Sequence, residues 1–164
     1  MFAVEIRTAR PDEYPAVTEL TVRVYLAAQF VEPGAPYLTE LADTARRAAE
    51  AEVLVAVAGT ELLGSVTFAL GGTRWAETAR PGEAAFRMLV VDPAARGAGV
   101  GAALVTYCVD RARTAGARAL RLSSGPEMAA AHRLYARLGF VRTPEDDWTP
   151  EPGVNLITFA MDLG

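Results

Sequence analysis

The chain contains no lysine: all 16 of its basic residues are arginine. A P-loop needs a lysine followed by Ser or Thr after its second glycine, so that class of phosphate site is excluded. Cys108 is the only cysteine and His132 the only histidine. One cysteine cannot close an internal disulfide, and one Cys with one His supplies no metal-ligand set, so no metal is expected. Cys108, between Tyr107 and Val109 in a helical pattern, reads as core filler. His132 lies off the apolar stripe of its segment and reads as a surface residue. No apolar run approaches the length of a membrane span. The start, Met1 to Arg7, carries charges where a secretory signal would need an apolar block. No membrane partner and a cytoplasmic location follow as expectations. Concentrated basic surface is also lacking, with a formal charge of −4, which argues against a nucleic-acid partner. Neither a G-x-S-x-G elbow nor a Cys–His pattern is present, so hydrolase chemistry has no local support.

What is there suits one folded unit. The chain has 164 residues, 51% of them hydrophobic and 22% charged, enough for one substantial core, and residues 1–164 read as a single domain. Phe2 to Arg7 alternates as a first strand. Arg10-Pro11-Asp12-Glu13 opens a helix, with Pro and acids where the dipole favours them. A loop follows from Gln29 to Tyr37, then a second helix over about 38–51. Val53 to Ala58 and Leu63 to Leu70 form a hairpin, and 71–82 is a polar loop. Glu83 to Val91 is a fourth strand. Alternation puts Glu83, Ala85, Arg87, Leu89 and Val91 on one face, and Ala84, Phe86, Met88 and Val90 on the other. A third helix spans about 99–115, ended by Gly116, and a fifth strand covers 119–123. Ser124 and Glu127 read as a capping box opening a fourth helix that Gly139 stops. Strands over 140–143 and 154–161 close the chain, with a loop over 144–153. The fold class is therefore α+β, a mixed sheet covered on both faces.

The stretch from Met88 to Leu104 organises the rest. An apolar strand ends at Asp92-Pro93, and Gly97, Gly99 and Gly101 precede a long amphipathic segment. Glycines there permit positive φ and leave no side chain over the amides. Free N–H groups at a helix start make an anion cradle, and Arg96 adds a cation at its lip. Gly97, Gly99 and Ala102 also fit the dinucleotide pattern G-x-G-x-x-G/A. That pattern should follow its strand directly, with an acid about 20 positions on. Here Asp92 to Arg96 intervene, and the later place holds Leu122-Ser123-Ser124, so a nucleotide-binding oxidoreductase ranks below the reading that follows.

Arg96-Gly97-Ala98-Gly99-Val100-Gly101, with the preceding V-D-P, resembles the Q/R-x-x-G-x-G/A signature of the GNAT superfamily of N-acetyltransferases. Ala131 to Phe140 (A-H-R-L-Y-A-R-L-G-F) resembles the A-x-x-L-Y-x-x-x-G-F stretch these enzymes carry downstream. The resemblance covers residues 83–143 closely. It implies a GNAT-like fold: about seven strands, mostly antiparallel, about four helices on both faces, and a splay between strands four and five. It implies acetyl-CoA as cosubstrate, an amine as second substrate, and direct attack of the amine on the thioester in a ternary complex. Arg96, Gly97, Ala98, Gly99, Val100, Gly101 and Ala102 would hold the pyrophosphate. The backbone of Leu89, Val90 and Val91 would pair with the pantetheine arm. Tyr135 aligns with the family tyrosine that protonates the leaving thiolate. Two positions depart from the family. Ala85 stands where many members have a glutamate base, so Glu83 is a substitute, with Glu145, Asp146 and Asp147 as alternatives that could also attract a cationic acceptor. Met128 stands where many have an arm-binding Asn, so that contact is lost or passes to Ser123 or Ser124. Tyr37, Asp147 and Trp148 are candidates for acceptor binding, the last by cation–π attraction. A non-catalytic acyl-CoA-binding module is the alternative. Dimers are common among similar proteins, and a homodimer stands beside a monomer as an option.

Overall fold

The structure, a computed structural model, describes residues 3–164; Phe2, expected to begin the first strand, lies outside them. In chain order the elements are β1 (Glu5–Thr8), α1 (Tyr14–Ala27), α2 (Tyr37–Ala42), α3 (Thr44–Glu50), β2 (Glu52–Ala58), β3 (Glu61–Leu70) and β4 (Ala84–Val91). They continue with α4 (Val100–Thr114), β5 (Ala119–Ser124), α5 (Ala129–Leu138), β6 (Val141–Arg142), β7 (Trp148–Glu151) and β8 (Val154–Asp162). The sheet runs β1-β2-β3-β4-β5-β8-β6, and β7 pairs with β8. Only β4 and β5 run parallel; the other neighbours are antiparallel. This is the expected mixed α+β sheet, with an eighth strand and a fifth helix added.

Both faces are covered, which is why β2 is apolar nearly throughout. Leu54 and Ala56 pack with α4 residues Leu104 and Cys108 in the main core. Val53, Val55 and Val57 pack on the other face, around Val17 of α1. Close approach of α4 depends on Gly64 in β3. A Cβ there would stand 2.7 Å from the Val90 carbonyl oxygen and 3.1 Å from both Leu104 Cδ1 and Val100 Cγ1. As expected, Gly116 ends α4 with positive φ. Gly116 N–H donates to Arg113 and Ala117 N–H to Ala112, the Schellman pattern that satisfies the last carbonyls.

Several local expectations are corrected. The helix over 38–51 breaks at Asp43, whose carboxylate accepts from the Arg46 amide at 3.3 Å; a short polar side chain competes with the helix for backbone partners. The loop over 71–82 is not merely polar. Trp75 is 2% exposed, and its indole N–H donates to Glu50 at 2.8 Å. The capping box does not form, because Ser124 is still held extended opposite Ile157 of β8, and α5 begins at Ala129. Ser124 Oγ instead lies 3.0 Å from His132 Nε2. His132 is thus no surface residue: its ring packs 5.3 Å from Phe159, and burial lowers its pKa.

Candidate active site

The sheet opens at β4. Its parallel pairing with β5 ends at Ala85 opposite Arg121, so from Phe86 onward the β4 edge facing β5 has no ladder partner. A bulge lies in the same stretch. Ser65 faces Val90 and Thr67 faces Arg87, leaving Met88 and Leu89 opposite Val66 alone. Met88 takes φ +57°, a left-handed conformation costing a non-glycine residue about 1 kcal/mol or more. The bulge corrects the expected alternation. Ala84, Phe86, Leu89 and Val91 contact the core under α4, while Ala85, Met88 and Val90 face the side of α1 and α2. Bulges re-aim backbone and side chains where sheets carry sites. Here the bulge falls where the β4 edge has no partner on the β5 side.

Beyond β4, Asp92 accepts from the Ala94 amide at 2.9 Å and from Arg23 at 3.2 Å, fixing the turn. Gly97 and Gly99 follow with φ +82° and +80° and nothing within 4 Å of where a Cβ would stand. They are needed for conformation, not for space. The first bonded amide of α4 is that of Ala103, donating to the Gly99 carbonyl at 3.0 Å. The amides of Val100, Gly101 and Ala102 have no acceptor inside the helix. A Cβ on Gly101 would come 3.3 Å from Leu134 Cδ2 and 3.6 Å from Val91 Cγ2, so this turn sits at the junction of β4 and α5. Exposed Arg96 makes no ion pair among the described residues. Oriented amides, the positive helix end and an uncommitted guanidinium fit a diphosphate.

Tyr135 closes the inner end of the opening from the α5 side. It is 5% exposed, with ring centroids 5.7 Å from Phe86, 6.0 Å from Phe140 and 5.7 Å from Phe159. Gly139 at φ +102° turns the chain so that the Phe140 amide donates back to the Tyr135 carbonyl, holding the two rings together. The Tyr135 hydroxyl makes no hydrogen bond to protein among the described residues. Burial, with the nearby Cys108 thiol, pushes its pKa well above that of a free phenol, so it stays a proton donor. Cys108 is itself buried, with its thiol pushed up by burial, which fits core filler.

The expected acids are committed elsewhere. Glu83 is 5% exposed; Arg121 Nε donates to it at 2.8 Å and the Arg80 amide at 2.8 Å. Burial alone would raise its pKa, but these donors outweigh that and hold it below the ordinary value. Oε1 takes both of these donors and Oε2 is met by Arg121 Nη2 at 3.4 Å, so Glu83 is a weaker base than a free carboxylate. Asp147 forms a bidentate pair with Arg142 at 2.8 and 2.9 Å and accepts from the Thr158 amide. Its pKa falls to about 2, chiefly through Arg142, so it pins a loop and does not fit as an acceptor ligand. Trp148, on β7, lines a cavity of about 280 Å³ with Glu77, Arg121 and Asp146; its buried indole N–H has no partner. Ser123, half-buried at the end of β5, shares a strand face with Arg121. Tyr37 accepts from Arg87 at 2.9 Å. Arg87, a charge in an otherwise apolar strand, escaped notice as a functional residue although that contrast is visible in the sequence.

A sheet parted at a bulge, beneath a main-chain anion cradle and facing a protonated phenol, defines a transferase of the GNAT type. Residues 14–140 match the family model for the acetyltransferase (GNAT) family, and the chain belongs to that family. No curated protein is similar enough in sequence to serve as a relative. Among solved structures, a GNAT family acetyltransferase from Staphylococcus aureus Mu50 superposes with TM-score 0.79 at 12% identity, over 99% of this chain and 100% of that one. A GCN5-related N-acetyltransferase from Kribbella flavida gives TM-score 0.72 at 26% identity over 98% of each chain. A GNAT family acetyltransferase from Brucella melitensis, solved in complex with acetyl-CoA, gives 0.67 at 23% identity over 100% and 90%.

Proposed function

We propose that the protein is an acetyl-CoA-dependent N-acetyltransferase acting on a primary amine by direct attack in a ternary complex. What supports this is the joint presence of the glycine turn before α4, a β4 edge without a β5 partner from Phe86 onward, and Tyr135 packed on that same Phe86. The amides of 97–102 and Arg96 hold the diphosphate, and the backbone of Leu89 to Val91 pairs with the pantetheine arm as an added strand would. An amide beside the bulge polarises the thioester carbonyl. The neutral amine adds to that carbonyl carbon, the C–S bond breaks, and Tyr135 protonates the departing sulfur, whose thiol pKa in water is about 8.5. The proton of the acylated nitrogen leaves to water, water returns one to the Tyr135 phenolate, and the products are the N-acetyl amine and coenzyme A.

Thiol release from acetyl-CoA over a panel of polyamines, aminoglycosides, amino acids and peptide N-termini tests the proposal. Thermal stabilisation by acetyl-CoA with no thiol release on any amine would favour a non-catalytic acyl-CoA-binding module instead. The absence of a free carboxylate at Ala85 and Glu83 is the specific observation on that side.

A further inference from the structure

On the face of β4 away from α4, phenols and guanidinium groups converge with little negative charge to balance them. Arg87 donates through Nη2 to the Tyr37 hydroxyl at 2.9 Å. Its guanidinium lies over the Trp75 ring at 5.3 Å and the Tyr37 ring at 6.0 Å. The Tyr25 ring stands 6.3 Å from that of Tyr37, and its hydroxyl lies within electrostatic reach of Tyr135, Arg87 and Arg47. Arg47 is 1% exposed. It meets only neutral acceptors: the hydroxyls of Thr67 and Thr44 and the carbonyls of Glu40 and Leu41. The surrounding acids are spoken for: Glu40 pairs with Arg74, Glu50 with Trp75 and Arg46, Glu83 with Arg121. Among the described residues Glu77 makes the one ion pair to Arg87, at 3.8 Å, and Glu40 lies within electrostatic reach of it. Glu77 sits half-exposed on the loop before β4 and also lines the cavity that contains the unpartnered Trp148 indole N–H.

We infer that the acceptor amine carries a carboxylate, and that Arg87 receives it in place of Glu77. This deepens the acyltransfer reading and rests on it. A guanidinium offers a planar fork matched to a carboxylate, and such charge-assisted pairs are the strong ones. Arg47, buried behind, adds positive potential, since its hydrogen-bond partners are all neutral and Asp43 acts on it only from a distance. The same field opposes an acceptor with a second ammonium group. Once the acceptor's carboxylate has paired with Arg87, the charge of Arg47 behind it still lowers the pKa of the acceptor's own ammonium, which favours the neutral amine without a side-chain base at position 85.

The test uses the full chain with saturating acetyl-CoA. Thiol release is measured on the proteinogenic amino acids, each beside its carboxamide, and on putrescine. At least one acid is expected to exceed its carboxamide in kcat/KM by about ten- to a hundredfold. Arg87→Met should erase most of that ratio while leaving the acetyl-CoA KM unchanged. Glu77→Gln should raise kcat/KM for the acid and not for the amide. If Arg87→Met fails to fold, Arg87→Lys, which keeps the charge and loses the fork, and Glu77→Gln still decide. Equal use of acid and carboxamide, a ratio that survives Arg87→Met, or preference for putrescine overturns the inference. If no amine releases thiol, the acyltransfer reading has failed. The carboxylate site is then judged by titrating N-acetyl amino acids into the coenzyme A complex: heat that Arg87→Met abolishes supports it, and no heat overturns it.

Discussion

Replacing Tyr135 with phenylalanine separates a catalytic hydroxyl from a packing ring. The ring is held on three sides by Phe86, Phe140 and Phe159, and Phe keeps all of that contact. The hydroxyl donates to no protein group, so deleting it leaves no orphaned partner, and stability should change by less than about 1 kcal/mol. Turnover is another matter. General acids contribute about 10²–10⁴-fold. The leaving thiol has a pKa of about 8.5 and needs less help than an alkoxide would, which places the loss near the lower figure. A hundredfold fall in kcat corresponds to about 2.7 kcal/mol of transition-state stabilisation. Single-turnover acetyl transfer, measured beside acetyl-CoA affinity by calorimetry, reads the two quantities independently. The expected outcome is kcat down about 10²-fold with affinity and melting temperature unmoved. A kcat within twofold of the parent would remove Tyr135 from the mechanism. Tyr135→Ala is the contrast: it empties the aromatic cluster and should cost about 3–5 kcal/mol of stability.

Gly64→Ala should destabilise by about 1–3 kcal/mol and weaken acetyl-CoA binding, because the new methyl would meet the Val90 carbonyl at 2.7 Å and lever the start of α4 off the sheet; calorimetry with unchanged affinity would contradict it. Glu83→Gln should leave the pH–rate profile unaltered. It should also lower stability by about 2–3 kcal/mol, below a fully broken buried pair because Gln keeps one acceptor oxygen for Arg121. A lost acid limb would restore Glu83 as the base. Glu13 and Asp147 titrate at about 2, held down first by hydrogen bonds from Arg7 and Arg142. Depressed carboxylates lend stability that is full above their unfolded values near 4 and drains as pH falls toward 2. Urea midpoints from pH 6 to 2 should therefore decline through that window, and less steeply in Arg142→Met.

The cradle was legible in the sequence because its chemistry is backbone chemistry, and only glycine supplies it: Gly97 and Gly99 both sit at positive φ with empty space beside them. Tyr135 was singled out only by the resemblance of its stretch to the family's L-Y-x-x-x-G-F pattern; its apolar helical stripe by itself reads as core. The bulge at Met88 was not legible. Nothing in F-R-M-L-V-V departs from alternation until β3 sets the register and leaves Val66 facing two residues, so the predicted faces of Leu89 and Val91 were inverted. Glu83 was misread for a related reason. A carboxylate's availability depends on what folds over it, and Arg121 arrives from another strand. The Asp147–Arg142 pair, five residues apart, was closer to visible but needed the β7–β8 hairpin to close it.

These corrections bear on one question, how an acceptor amine loses its proton without a glutamate at position 85. A base raises the fraction of neutral amine by taking the proton; a positive field does so by making the ammonium costly. Arg47 is buried with no carboxylate partner, and its own pKa is lowered by that burial. A second cation placed beside Arg47 would meet the same desolvation and like-charge penalty. With no titrating carboxylate in the path, log(kcat/KM) should climb with unit slope to a single inflection belonging to the acceptor's amine. Changing the acceptor should then move the inflection, whereas an enzyme base would keep it fixed. An inflection that stays near pH 6 across acceptors of different basicity would require a side-chain base, and the field argument would fall with it.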